Sequence, residues 1–137
     1  MDIRVSHCFI AVDDHEKALA FYRDVLGFQV TNDVGFEGMR WVTLVSPTQP
    51  DVDIVLEPPA PDPHASDADK QALASLLAKG MLRAVLFSTD DVDGTFERIQ
   101  ASGAEVVQEP MDMPYGIRDC AFRDPAGNLL RFQATKS

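Results

Sequence analysis

The feature that most constrains this chain is a repeat. One order of elements, a strand, a helix and three further strands, can be read twice in 137 residues. In the first half, the apolar run at 3–12 predicts a strand. Asp13 and Asp14 end it and can cap a helix. Ala18, Phe21, Tyr22, Val25 and Leu26 follow at helical spacing, and Gly27 stands where a left-handed terminating residue is wanted. Residues 28–34, 39–45 and 52–57 alternate like strands between turn-forming residues. In the second half the strand is 82–89 and the capping pair is Asp90 and Asp91. The helical stripe is Val92, Phe96 and Ile99, and Gly103 terminates it. Residues 104–108, 117–122 and 129–133 are the remaining strands, the last two joined by a turn at 124–127.

The repeat sets the organisation. Residues 1–57 form the first module, 58–81 a linker and 82–137 the second module. Four prolines between 58 and 64 rule out a strand interior there. Ser66, with Asp69 three residues on, predicts a helix start. Ala72, Leu73, Leu76 and Leu77 form an apolar stripe that Gly80 closes. That short amphipathic helix is expected to pack on the body or on a partner subunit. The fold class is α+β, two tandem βαβββ modules forming a curved mixed sheet.

Composition narrows the partners. Hydrophobic residues make up 45% of the chain, enough for a core. Twelve basic against 22 acidic residues give a formal charge of −10. Such a surface repels the phosphates of nucleic acid and an anionic membrane, and it attracts cations. Cys8 and Cys120 lie in strand-like runs without metal-type spacing, and buried free thiols in a reducing cytosol are expected. No apolar segment approaches the roughly 20 residues of a membrane span, and no leader-like basic and apolar pattern opens the chain. The expected location is the cytoplasm. His15, at a helix start, and His64, in the linker, are expected to be solvated. No phosphate-cradling glycine loop or nucleophile elbow is present.

Two long stretches carry a family resemblance. HCFIAVDD at 7–14, followed by KALAFYRDVLGF at 17–28, resembles the first strand and helix of vicinal-oxygen-chelate proteins. PYGIRDCAFRDPAGNLLRF at 114–132 resembles the closing stretch of the bleomycin-resistance branch. The resemblance covers roughly residues 3–134. It implies the glyoxalase/bleomycin-resistance fold, in which the strands curl into a cup. It also implies a dimer, since such folds often build each pocket from modules of two chains; open strand edges point the same way. In metal-dependent members one metal ligand comes from the first strand and one from the fourth strand of each module.

The pleat decides which residues enter the cup. On the first strand His7, Phe9 and Ala11 face it, while Cys8, Ile10 and Val12 face the helix. Asp53, Val55 and Glu57 face it from the fourth strand. Ala84 and Leu86, then Arg131 and Gln133, follow in the second module. The family's ligand positions fall on His7, on Val55 (or Glu57 with a shift of two), on Ala84 and on Arg131. Alanine cannot coordinate, and arginine is a permanent cation without a lone pair. The usual metal centre is therefore not expected, and no cofactor is. The alternative is one divalent metal, such as zinc, nickel, iron or manganese, on His7 and Glu57 with Gln133 as a further ligand. That would make the chain a glyoxalase-type lyase or isomerase, or a ring-cleaving dioxygenase.

The candidate ligand-binding set is His7, Phe9, Trp41, Val55, Glu57, Ala84, Tyr115, Asp119, Arg131 and Gln133. Arg131 either anchors a ligand oxygen through its planar fork or pairs internally with Glu57 or Asp119. Trp41 faces the cup or belongs to the core or a dimer interface. Tyr115 sits in a Met- and Pro-rich loop that starts at Met111 and can cover a pocket mouth. Flat aromatics there suit an aromatic or cationic small molecule. The expected function is small-molecule binding by a homodimer.

Overall fold

The computed structural model describes residues 1–135; Lys136 and Ser137, expected at the end of the second module, lie outside them. The first module contains β1 (His7–Ala11), α1 (His15–Leu19), β2 (Gln29–Phe36), β3 (Met39–Ser46) and β4 (Gln49–Glu57). After Leu19 the helix widens into a π-helical turn over Ala20–Val25. The linker helix α2 (Asp67–Ala78) follows. The second module contains β5 (Ala84–Thr89), α3 (Val92–Ala101), β6 (Glu105–Asp112), β7 (Arg118–Arg123) and β8 (Leu129–Ala134). The sheets have the same order, β1-β4-β3-β2 and β5-β8-β7-β6, with the first pair of each parallel. These are the two βαβββ modules expected.

Local chemistry explains the elements. Of each aspartate pair the second is the cap: Asp14 accepts from the amides of Glu16 and Lys17, and Asp91 from that of Gly94. Gly27 and Gly103, at φ 81° and 91°, end the helical segments in the left-handed region. An arginine then ties each helix to its sheet. Arg40 on β3 reaches Asp33 on β2 (2.6 Å) and Glu16 on α1 (2.8 Å). Arg118 on β7 reaches Asp93 on α3 (2.8 Å) and Asp112 on β6 (3.3 Å).

The helix-facing sides of both sheets share one core. Tyr22, Phe28, Phe87, Phe132, Phe122 and Phe96 run through it as a continuous series of ring contacts at 5.2–6.4 Å. Polar contacts lock the modules together. The Tyr22 hydroxyl donates to Asp124 (2.6 Å) and the Asn128 amide donates to the Ala11 carbonyl (2.8 Å). Burial, then the nearby Asp124 carboxylate, pushes the Tyr22 phenol well above its ordinary pKa. Arg83, just before β5, donates to the Phe9 carbonyl of β1 (2.7 Å).

Several expectations need correction. The first strand starts at His7 rather than at residue 3. Ile3 and Val5 are exposed, because the ladder with β4 begins at His7 opposite Asp53. β6 runs on through Pro110 to Asp112, not ending at 108. It is an edge strand with two register shifts, where a proline is tolerated. In α2, Ser66 does cap by accepting from the Asp69 amide. Of its stripe only Leu77 is buried, Leu73 is half-buried, and Ala72 and Leu76 are exposed. His15 is not simply solvated, since its Nε2 lies 3.1 Å from the Leu56 carbonyl. Cys8 is half-buried, not buried like Cys120. Among the described residues no helix is long and apolar enough to cross a membrane.

Candidate functional site

The two sheet faces away from the helices carry the expected site residues, and their chemistry differs. On the first face Phe9 pairs with Val55, and Val55 with Thr43. Trp41 pairs with Val34 on β2 and is half-buried. Val55 is buried beneath its neighbours, while Phe9, Val34 and Phe36 are exposed. His7 ends this face. Its Nδ1 lies 2.8 Å from the Ser6 hydroxyl and its Nε2 lies 3.1 Å from Asp53, so both ring nitrogens have partners.

On the second face Leu86 pairs with Arg131, and Arg131 with Ala121. Asp119 pairs with Gln133 and is only 1% exposed. A hydrogen-bonded group covers it. Gln108 Nε2 donates to Asp119 Oδ1 (2.7 Å), Arg131 Nη1 lies 3.3 Å from Oδ2, and the Tyr115 hydroxyl lies 3.4 Å from Oδ2. Gln108 Oε1 accepts from Arg131 Nη1 at 3.0 Å. A buried carboxylate needs such partners, because desolvation otherwise disfavours its charge. The Arg131 side chain remains 34% exposed. Tyr115 is 63% exposed, its ring held over this face by the tight turn at Gly116.

Of the two acids foreseen for Arg131, Asp119 is the partner. Glu57 lies in the other module beside Arg83; burial raises its pKa, and Arg83 opposes that rise. The structure does not bring His7 and Glu57 together either. Glu57 pairs with Ala11, four residues along β1 from His7, about 13 Å at ordinary strand rise. Ala84, on the other module, is exposed and offers no donor atom. Among the described residues no three His, Cys, Asp or Glu side chains converge on a metal position. At the ligand positions that the resemblance implies, Val55 and Ala84 offer no donor atom and Arg131 has no lone pair to give, so these residues do not fit the metal.

Neither thiol sits where its thiolate is favoured. Burial raises the pKa of Cys8, with Arg83 opposing. Burial and then Asp119 push Cys120 up to about 11.

Gln108 and Arg83 were not foreseen. Gln108 sits between the two register shifts of β6, where alternation no longer tells which way a side chain points. Arg83 falls inside the strand expected over 82–89, but β5 starts at Ala84, so the pleat does not reach it.

Neither cup face is closed in the single chain. A cavity of about 820 Å³ lies between the helix ends and the turn near Asp124, and one of about 690 Å³ lies beside Phe28, Gln49 and Phe87. Neither is lined by any of the expected site residues.

The Glyoxalase/Bleomycin resistance protein/Dioxygenase superfamily model matches residues 4–132. The crystal structure of UcmS2 is similar at a TM-score of 0.86 and 33% identity, over 97% of this chain and 98% of that one. That of TnmS3, an antibiotic binding protein from Streptomyces sp. CB03234, is similar at 0.74 and 29%, over 98% of each chain. The uncharacterized protein YurT of Bacillus subtilis (strain 168) is 33% identical over 123 residues, 89% of this chain and 91% of its own length.

Proposed function

Because this chain belongs to the glyoxalase/bleomycin resistance protein/dioxygenase superfamily, we propose that it is a cytoplasmic small-molecule-binding protein that works without the family's metal centre. One observation carries the reading. By the resemblance Arg131 stands where metal-dependent members place a ligand, and Asp119 and Gln108 hold it there with its side chain 34% exposed. A fixed, partly desolvated arginine is a recognition group for ligand oxygen atoms and repels a divalent cation. The likeness to TnmS3, an antibiotic binding protein, supports a binder.

The chain is proposed to act as a homodimer. Phe9, Val34, Phe36, Leu86 and Met111 are exposed large apolar side chains on or beside the cup faces. Apolar surface of this kind calls for a cover. A second copy would supply it and would close the pocket that one chain leaves open. Sedimentation at about tens of micromolar should give the dimer mass; a monomer there would defeat the assignment.

The reading is tested by metal analysis of untagged protein, with a thermal-shift ligand screen alongside. Substoichiometric metal and at least one ligand that raises Tm are expected. About one equivalent of zinc, nickel, iron or manganese that disappears in His7→Ala would overturn it and restore the metal-dependent enzyme.

A further inference from the structure

We propose that the ligand meets Arg131 through two acceptor oxygens on one planar edge, a carboxylate or a carbonyl beside an enol or phenol. Gln108 is the positioning residue that turns the guanidinium toward it. The inference rests on the reading of Arg131 as a ligand anchor.

Among the described residues Arg131 is held by one nitrogen only. Nη1 donates to Gln108 Oε1 (3.0 Å) and to Asp119 Oδ2 (3.3 Å). Among the described residues Nη2 and Nε have no partner. Those two nitrogens share one edge of the guanidinium, and their parallel N–H groups match two oxygens of a planar acceptor. Gln108 fixes which edge is left. Its Nε2 faces the Asp119 carboxylate at 2.7 Å, which leaves Oε1 to face the guanidinium. The opposite amide orientation would set a donor against a cation and an acceptor against an anion, so the network permits only this one.

The same contacts remove the competing ligand classes. Asp119 is buried, and its two oxygens are taken by Gln108, Arg131 and Tyr115. It cannot also receive a ligand cation. The strand partners of Arg131 are Leu86 and Ala121, and Gln133 lies next on the same face. None is cationic, so a dianion such as a phosphate monoester would find a single counter-charge. A monoanion or a neutral carbonyl compound remains. This preference opposes the field of the whole molecule, whose formal charge of −10 attracts cations. The sign of selectivity therefore separates recognition at this edge from non-specific attraction.

The test is equilibrium dialysis of the full chain with three probes that share one ring system: 2-naphthoate, 2-naphthamide and 2-naphthylmethylammonium. Naphthoate should bind about tenfold more tightly than the ammonium. The double variant Arg131→Gln/Asp119→Asn removes both charges without stranding a buried carboxylate, and it should erase the preference. Gln108→Met should weaken naphthoate while leaving the ammonium unchanged; a merely structural role would weaken all three probes alike. Equal binding of the three, unaffected by the double variant, would overturn the ligand class while leaving a small-molecule binder in place. Failure of every probe to bind up to its solubility would overturn the inference and the cup as a ligand site together.

Discussion

In the first module Phe9 of β1 pairs with Val55 of β4, which pairs with Thr43 of β3. At the same register in the second, Leu86 pairs with Arg131, which pairs with Ala121. Asn32 lies beside Thr43 on the first edge strand, where Gln108 lies beside Ala121 on the second. His7 opposite Asp53 becomes Ala84 opposite Leu129. The helix faces are far more alike. Each carries an aspartate cap, a glycine terminator and an arginine that ties the helix's first turn to the sheet edge. The contrast teaches where the repeat is under physical constraint. Burying one helix on one sheet fixes that side of each module. The cup side has no such duty and can become an apolar floor in one copy and a charged one in the other.

The turns between the last two strands give the largest test of this contrast. In the second module Asp124 is buried. It accepts from the Tyr22 hydroxyl, from the amides of Ala126, Gly127 and Asn128, and from the Asn128 side chain. In the first module the corresponding turn, closed by the Ser46–Gln49 pair, carries an exposed side-chain contact between the Ser46 and Thr48 hydroxyls at 3.2 Å. Asp124→Ala leaves several buried donors unpaired and should cost about 3–5 kcal/mol in urea unfolding. Thr48→Ala should cost about 0.5 kcal/mol or less. Similar losses for the two variants would break the assignment of Asp124 as the lock between modules.

A middle-sized effect is expected on the cup side. Arg131→Val copies the first module's Val55 into the second, but it strands Asp119 with only Gln108 and Tyr115. Because Arg131 is a third exposed, the loss should be about 1–2 kcal/mol rather than that of a fully buried pair. Adding Asp119→Ala should recover at least half of it. A double variant as unstable as the sum of the two singles would mean that the residues are not energetically coupled.

How much of this was legible follows from where local rules apply. The βαβββ order was readable because caps, glycines and periodicity recur in both halves. The facing of His7, Phe9, Trp41 and Arg131 followed from the pleat, since their strands are regular there. Gln108 was hidden by the two bulges of edge strand β6. Arg83 was hidden because the expected strand 82–89 included it, whereas β5 starts at Ala84 and Arg83 reaches across to the other module. The partner of Arg131 could not be chosen between Glu57 and Asp119, because the pleat gives a face and says nothing about the distance between modules. The linker stripe was visible, but its exposure depends on how α2 docks, which no local pattern encodes.

The smallest expected effect concerns the far end of the two cups, where Glu57 opposite Ala11 is matched by Gln133 opposite Ser88. Glu57→Gln makes the first module like the second. Burial raises the Glu57 pKa above its ordinary 4.5, and the pull of Arg83 only partly offsets that rise. The folded state therefore disfavours the charged carboxylate. At about pH 8 the group is ionised both folded and unfolded, so the cost is fully present and the variant should be the more stable protein. As the pH falls through the raised folded value, the native chain takes up its proton first and the cost is relieved. Below 4.5 the side chain is protonated in both states and the advantage of Gln should be gone. Since Glu57 is only half-buried, the gain at high pH should be about 0.5 kcal/mol or less, a degree or two in Tm. Melting curves from about pH 4 to 8 for the wild type and Glu57→Gln measure it. In an Arg83→Gln background the gain should widen, because the opposing attraction is lost. A gain that stays constant across the range would show that repacking, and not the charge of Glu57, separates the two ends.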